Sequence, residues 1–95
     1  MSPLSESEIS THLASVPSWR VEKGELVRTY TFRDFRGSLA FVNKVGDLAE
    51  QAGHHPDIDI RYNKVRLALV THDAGGLTDK DFQLASAADT IIPVV

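Results

Sequence analysis

The sequence of 95 residues contains no cysteine. This absence excludes a disulfide framework and every metal site that depends on thiolate ligands. A long apolar run is also missing, since nowhere do about 18 apolar residues follow one another as a membrane-spanning helix requires. The first residues have neither the basic region nor the apolar region of a secretion signal. We therefore expect a cytoplasmic protein with no membrane partner.

Positive charge is scarce as well. Ten Lys and Arg residues stand against 13 Asp and Glu residues, which gives a formal net charge of −3 at pH 7. Because binding to nucleic-acid phosphates usually needs a basic face, we do not expect a nucleic-acid partner. Glycine-rich phosphate loops and the motifs of serine or cysteine nucleophiles are absent too.

The residues that are present have the composition of an ordinary globular chain, with 42% hydrophobic and 24% charged residues. Their number suits one small domain, residues 1–95, whose modest core is often supplemented by association between subunits. We therefore predict a homodimer or a homotetramer. Its contacts would come from exposed sheet edges, which invite pairing, and from the helix face of Leu84, Ala88 and Ile91.

Local signals place a helix and a hairpin at the start of the chain. Ser5 and Glu8 form a capping box, with Leu4 and Ile9 at the staple positions, so a first helix starts at Ser5. A tight turn at 23–24, ending in glycine, joins two predicted strands. These strands span residues 19–22 and 26–32.

A long amphipathic helix follows from Asp34, its predicted N-cap, to the residue before Gly53, which suits the left-handed position after a helix. Its predicted apolar face steps by three or four residues. The members of this face are Phe35, Leu39, Val42, Val45, Ala49 and Ala52.

The second half repeats the order of two strands and a helix. Apolar and polar residues alternate over 57–62 and 65–70, and Asn63-Lys64 is the predicted two-residue turn between these half-buried strands. Thr78 can cap a last helix that has Asp81 at its third position. The predicted apolar face of this helix includes Ile91 and Ile92, and Pro93 is predicted to end it. The predicted fold is α+β, in the order α-β-β-α-β-β-α, with three helices on one face of a four-stranded antiparallel sheet.

Three histidines are candidates for proton-transfer chemistry. With Asn63-Lys64 as the turn, counting outward along the hairpin pairs His55 with His72. His54 precedes this pair, and Glu50 lies one helical turn before His54, where a carboxylate could orient the imidazole. Because histidine titrates near neutral pH, such a cluster can supply an acid and a base together.

Other interpretations of these residues stay open. A metal site could draw on the three histidines with Glu50, Asp57 and Asp73, although no helical H-x-x-x-H spacing occurs. Asp81 could serve only as a helix cap, and Glu50 could be a solvated helix residue. Tyr62 shares its strand face with isoleucines and is predicted to pack in the core, whereas His12 is predicted to lie on the surface.

The spacing of Glu50, His54-His55-Pro56, Tyr62, His72 and Asp81 resembles the signature of the pterin-4a-carbinolamine dehydratase family. The resemblance extends over residues 19–92. Further matching segments are Tyr62-Asn63-Lys64-Val65, Thr71-His72 and Leu84-Ala85-Ser86.

This resemblance implies a hydro-lyase that removes water from 4a-hydroxytetrahydrobiopterin and gives quinonoid dihydrobiopterin. His54 and His72 would donate protons to the departing hydroxyl and His55 would help to bind the pterin, with Glu50, Pro56, Tyr62 and Asp81 in supporting positions. The resemblance implies no metal or other cofactor. It suggests tetrahydrobiopterin recycling, coupled to an aromatic amino-acid hydroxylase. The alternative is a non-catalytic interaction protein, since animal relatives are dimerisation partners of a transcription factor.

Overall fold

The predicted α+β architecture is confirmed by a computed structural model, which describes residues 2–92. Four strands form one antiparallel sheet in the order β1-β2-β4-β3, so β1 and β3 are its edges. The elements are α1 (Glu6–Leu13), β1 (Arg20–Glu22), β2 (Glu25–Thr31), α2 (Phe35–Ala52), β3 (Asp57–Arg61), β4 (Lys64–Leu69), a 3₁₀ turn (His72–Ala74) and α3 (Asp79–Asp89). Within the described residues no helix is both long and apolar enough to cross a membrane.

The core lies between the inner face of the two central strands and the helices. Leu26 opposes Leu69 and Tyr30 opposes Val65 across β2 and β4, and all four side chains are buried. Because alternate residues of a strand share a face, this placement follows from the alternation in both strands. Helices α2 and α3 cover these residues with Phe41, Val45, Ala49, Phe82, Leu84, Ala85 and Ala88.

The predicted core face of α2 is partly wrong. Phe35 and Leu39 are 46% and 41% exposed, whereas Ser38 and Phe41 are buried. The buried positions still follow helical spacing, but on a neighbouring flank of the helix. Ser38 is accommodated there because its hydroxyl donates a 2.7 Å hydrogen bond to the carbonyl oxygen of Tyr62.

The predicted register of the β3–β4 hairpin is also wrong. Ile60 pairs with Val65 and the ladder closes at Arg61 and Lys64, so the two turn residues are Tyr62 and Asn63. Tyr62 has a φ of +52° and is 64% exposed, which contradicts its predicted place in the core. A shift of two residues leaves the same side chains facing the core, so the alternation could not distinguish the two registers.

Contacts with Phe32, the residue after β2, explain the observed turn. The Asn63 side-chain amide donates to the carbonyl oxygen of Phe32 over 3.0 Å, and the Phe32 N–H donates to the Asn63 carbonyl oxygen over 2.7 Å. The edge strand β3 is more exposed than predicted, since only Ile60 among its residues is half-buried.

The predicted helix caps agree with the structure, but the predicted end of the last helix and the predicted exposure of His12 do not. Ser5 and Glu8 form the capping box of α1, Asp34 caps α2, and the Thr78 N–H donates to Asp81. Helix α3 ends at Asp89, so Ile91 and Ile92 pack against the core from beyond it, and Pro93 lies outside the described residues. His12 is half-buried, because its Nε2 lies 2.8 Å from Asp79 Oδ1 and its ring contacts Phe82.

Candidate active site

The end of α2 determines where the histidine pair lies. Gly53 adopts the left-handed conformation, with a φ of 62°, as predicted. Its N–H donates to the Glu50 carbonyl oxygen over 3.3 Å, and the N–H of His54 donates to the Ala49 carbonyl oxygen over 3.1 Å. This pair of bonds is a Schellman motif, which satisfies the last carbonyl groups of a helix and turns the chain sharply. His54 therefore starts from a well-defined backbone position.

The side chain of His54 is tied to a buried carboxylate. Its Nε2 lies 2.5 Å from Oδ1 of Asp81, and the His54 side chain is only 12% exposed. Asp81 itself is fully buried. This contact corrects the expectation that Glu50 supports His54.

Asp81 is held in place by two further donors. Its Oδ2 accepts hydrogen bonds from the Thr71 hydroxyl and from the Thr78 N–H, each over 2.9 Å. The two threonine hydroxyls are hydrogen-bonded to each other over 2.7 Å. The predicted capping role of Asp81 is thus confirmed, and the same carboxylate also holds a histidine. A buried charge that is paired and hydrogen-bonded in this way is the arrangement that protein interiors tolerate.

The other two histidines are more exposed. His55 Nε2 contacts Glu50 Oε2, and both side chains are mostly exposed. His72 begins the 3₁₀ turn, and its side chain makes no hydrogen bond to another described residue. All three histidines nevertheless line one cavity of about 300 Å³. With the corrected register His55 and His72 are not directly opposed, but the segment before β3 and the segment after β4 bring them to the same cavity.

Sequence reasoning assigned none of four residues of this region to the proposed acid–base site, although Asp73 was named as a possible metal ligand and Thr78 as a helix cap. Thr71 and Thr78 support Asp81, while Asp73 and Lys80 line the histidine cavity. Their positions in the sequence could have indicated this, because Thr71 and Asp73 flank His72, and Lys80 precedes Asp81 in the first turn of α3. Within residues 2–92, no three His, Asp or Glu side chains come close enough together to hold a metal ion.

None of the four predicted supporting residues lines the cavity, and only Glu50 and Asp81 are hydrogen-bonded to its histidines. Pro56 is half-buried immediately before β3, where its missing N–H is compatible with the start of a strand. Tyr62 lies at the opposite end of the hairpin, roughly 20 Å from His55 along an extended strand. In a single protomer Tyr62 therefore cannot contact a molecule held by the histidines.

The chemistry that this arrangement allows is proton transfer. Asp81 fixes one ring nitrogen of His54 and so leaves Nδ1 as the nitrogen that can exchange a proton with a bound molecule. His72 provides a second imidazole on the same cavity without a competing protein partner among the described residues. One anchored and one freer imidazole are suited to act as acid and base in a single reaction.

Comparison with known proteins identifies the family. The model of the family described as pterin 4 alpha carbinolamine dehydratase matches residues 2–91. The chain belongs to this dehydratase family. A protein of Chloroflexus aurantiacus whose name provisionally assigns it this activity is 61% identical over 92 residues, which cover 97% of this chain and 99% of the relative. A relative from Acidobacterium capsulatum with the same provisional name is 54% identical over 92 residues, covering 97% and 100%.

Solved structures of the same fold include two proteins described in different terms. A transcriptional coactivator/pterin dehydratase from Brucella melitensis superposes with a TM-score of 0.90 at 30% identity, covering 94% of this chain and 97% of that one. A pterin dehydratase-like protein identified as a RuBisCO assembly factor in the alpha-carboxysome gives a TM-score of 0.67 at 23% identity, covering 82% and 93%. The second likeness establishes the fold alone.

Proposed function

We propose that this chain is a hydro-lyase that dehydrates 4a-hydroxytetrahydrobiopterin to quinonoid dihydrobiopterin. The reaction breaks the bond between C4a and the hydroxyl oxygen, forms a double bond between C4a and N5, and releases the N5 proton. One proton is delivered to the hydroxyl and one is taken from nitrogen, so no oxidant or reductant is needed. The expected physiological role is recycling of the pterin left by an aromatic amino-acid hydroxylase.

The observation that supports this proposal most strongly is the anchoring of His54 on buried Asp81 beside two further histidines. In the proposed mechanism His54 and His72 handle the two protons, the one delivered to the departing 4a-hydroxyl and the one taken from N5, and His55 binds the pterin ring. Acid–base catalysis of this type requires groups that titrate near the working pH and lie within hydrogen-bonding reach of the substrate. Asp81 acts through His54 as a positioning residue.

The test is a dehydration assay on the purified full chain. The carbinolamine is generated by an aromatic amino-acid hydroxylase, and quinonoid formation is followed in the presence of a metal chelator. We expect acceleration above the rate in buffer, with no loss on chelation, because the proposed mechanism uses neither a metal nor another cofactor. A rate equal to that in buffer would contradict the proposed function, and a rate abolished by the chelator would contradict the proposed mechanism.

A second candidate function is that of an interaction protein. One observation favours it: Phe35 and Leu39 on α2 leave apolar surface exposed in the protomer, and large exposed apolar side chains that cluster often mark contact surfaces. The Brucella melitensis neighbour is described as both a coactivator and a dehydratase. The fold is therefore compatible with both roles in one protein. The dehydration assay distinguishes a purely non-catalytic protein, which gives no acceleration, from an enzyme or from a protein with both roles.

We also propose that the protein forms a homodimer or a homotetramer. The helix face first considered for this contact is excluded, because Leu84 and Ala88 are buried within the protomer. The remaining candidates are the edges of β1 and β3, with which no further strand of residues 2–92 pairs, and the exposed flank of α2. Light scattering at micromolar concentration tests this proposal, and a mass of 10.4 kDa, that of the single chain, would contradict it.

A further inference from the structure

The loop that carries His72 spans residues 71–78, and we call it the histidine loop. A β-bridge closes its base, because the Thr71 N–H donates to the Gly76 carbonyl oxygen over 3.1 Å and the Gly76 N–H donates back over 3.4 Å. Two further backbone N–H groups of the loop donate to the same Thr71 carbonyl oxygen. These bonds fix the internal shape of the loop.

The histidine loop affects both histidines to which the proposed mechanism assigns a proton. His72 lies within it, next to Thr71. The Thr71 hydroxyl is hydrogen-bonded to that of Thr78 and donates to Asp81, which in turn binds His54. A displacement of the loop would therefore move His72 directly and would disturb the support of His54.

Two residues that precede α1 pack against the outside of this loop. The N–H of Leu4 donates a 2.7 Å hydrogen bond to the carbonyl oxygen of Leu77, which is buried. A Cβ atom at position 76 would lie 3.0 Å from the Cβ of Pro3. Because non-bonded carbon atoms are best separated by about 3.5 to 4.0 Å, Pro3 can pack so closely only against a glycine. We call Pro3 and Leu4 the N-terminal brace.

The brace is itself held by α1. The side chains of Leu4 and Ile9 both pack against the core, in the staple arrangement that fixes how a chain enters a helix. Helix α1 is in turn linked to α3 through His12 and Asp79. The ring of Pro3 fixes its φ, so this residue loses little conformational freedom when it packs.

We propose that the N-terminal brace is a positioning element for the proposed reaction. It holds the histidine loop at Gly76 and Leu77, so that His72 keeps the place from which it transfers a proton. Neither brace residue is among those that line the histidine cavity, so the brace acts only through the loop. Its effect on the rate rests on the proposed function, whereas its hold on the loop does not and is measured separately.

The test compares four altered proteins with the unaltered chain. Deletion of residues 2–4 removes the brace and leaves Ser5 to cap α1. Gly76→Ala places a methyl group where the loop meets Pro3. A third protein carries both changes. Gly46→Ala, in α2, is the matched control, because a Cβ atom there meets nothing within 4 Å. The deletion and Gly76→Ala alter the same contact from its two sides, so one of them suffices if the other fails to fold.

Amide hydrogen exchange measures the hold on the loop, and kcat and KM in the dehydration assay measure the effect on the reaction. We expect the deletion and Gly76→Ala each to lower the protection of the loop N–H groups by about three- to tenfold, the equivalent of one hydrogen bond, with the N–H groups of α2 unchanged. Small displacements of reacting groups lower rates strongly, so kcat should fall by about 10- to 100-fold. KM should change much less, and Gly46→Ala should behave as the unaltered protein.

In the doubly altered protein Gly76→Ala should add nothing, because Pro3 is no longer there to be displaced. A further loss would show that the methyl group acts through another contact and would overturn the role of Pro3. Unchanged exchange of the loop, or an equal loss of protection in α2, would overturn the brace. Faster exchange with unchanged kcat would overturn its positioning role. Faster exchange in a chain whose unaltered form does not dehydrate the carbinolamine would support the hold on the loop and overturn the proposed function instead.

Discussion

The two ends of α3 each carry an aspartate that accepts hydrogen bonds from three groups, but the two clusters differ in what their donors can do. At the N-terminal end, Asp81 is bound by His54 and by two threonines. At the C-terminal end, Asp89 accepts hydrogen bonds from Trp19 Nε1, Arg28 Nη1 and the Tyr30 hydroxyl, over 2.6 to 3.0 Å. Both clusters attach the same helix to the rest of the fold.

The donors at Asp89 keep their protons at neutral pH. Guanidinium groups keep their charge in proteins, and that of Arg28 lies 4.2 Å from the centre of the Tyr30 ring. Burial, followed by the neighbouring Asp89 carboxylate, raises the pKa of Tyr30 far above its usual range, so that its hydroxyl remains a donor. We conclude that this cluster fastens α3 to the sheet.

The cluster at Asp81 instead contains an imidazole, a group that can serve as general acid or base. This imidazole, that of His54, also lines the histidine cavity. The comparison teaches that a buried aspartate can serve stability or chemistry, depending on whether a titratable donor with access to a ligand is among its partners.

The largest effect on catalysis is expected from the histidines of the Asp81 end. His54→Ala and His72→Ala should each lower kcat by about 10² to 10⁴-fold, the usual contribution of a general acid or base. His12→Ala is the matched control, since His12 does not line the histidine cavity. Rates are measured in the dehydration assay, with circular dichroism as the check on folding. Full activity in a folded His72→Ala protein would remove His72 from the mechanism.

A smaller loss of rate is expected from Asp81→Asn. The amide keeps the size of the side chain but replaces the charged acceptor of His54, and a hydrogen bond to a charged group contributes about 1.5 to 3 kcal/mol. If that contribution is felt in the transition state, kcat falls by about 10 to 100-fold. If Asp81→Asn and Asp89→Asn lowered kcat equally, the proposed difference in role between the two aspartate clusters would be contradicted.

For Asp89→Asn we expect a loss of stability without a loss of chemistry. Arg28 would lose its charged partner at a site where both side chains are less than one third exposed. The free energy of unfolding should fall by about 1.5 to 3 kcal/mol, as measured by urea denaturation. Well below the melting temperature, kcat should equal that of the unaltered protein. An unchanged denaturation midpoint would show that Asp89 does not fasten α3.

The smallest effect concerns His12, which links α1 to the first turn of α3. The Glu8 carbonyl oxygen, and then Asp79, raise the pKa of His12 above its ordinary value of 6.5. Because the folded-state pKa is the higher one, protonated His12 stabilises the fold fully below about pH 6.5, and the contribution is lost as pH rises through the folded-state value.

We therefore expect the urea midpoint of the unaltered protein to exceed that of His12→Gln by more at pH 6 than at pH 8. All residues other than residue 12 are common to both proteins, so their contributions cancel in this difference. A difference that stays constant between these two pH values would show that protonated His12 does not stabilise the fold.

Much of the fold was predictable because its signals are local. The capping residues Ser5 and Asp34, together with the left-handed Gly53, lie within a few residues of the helix ends that they determine. Alternation in β2 and β4 similarly identified the side chains that face the core. The spacing of His54, His55 and His72 was sufficient to identify them together as candidate site residues.

The predictions from sequence were wrong where a contact between residues far apart in the chain decided between two arrangements that fit the local pattern equally well. Tyr62-Asn63 and Asn63-Lys64 both make two-residue turns with the same alternation, and the hydrogen bonds of Asn63 with Phe32 favour the first. Glu50 lies close to both histidines in sequence. It pairs with His55 because the His54 ring is already bound to Asp81, which lies 27 residues away along the chain.

The sequence by itself therefore determined the order of elements, their caps and the inward faces of the central strands, since each depends on neighbours within one or two helical turns. The spacing along the chain also identified the candidate histidines. Only the tertiary structure decided that Asp81 supports His54, that Tyr62 lies outside the site, and that Lys80 joins the histidines at one cavity. These features depend on how α3 packs against α2 and the sheet. That packing joins residues far apart in the chain, and no local pattern specifies it.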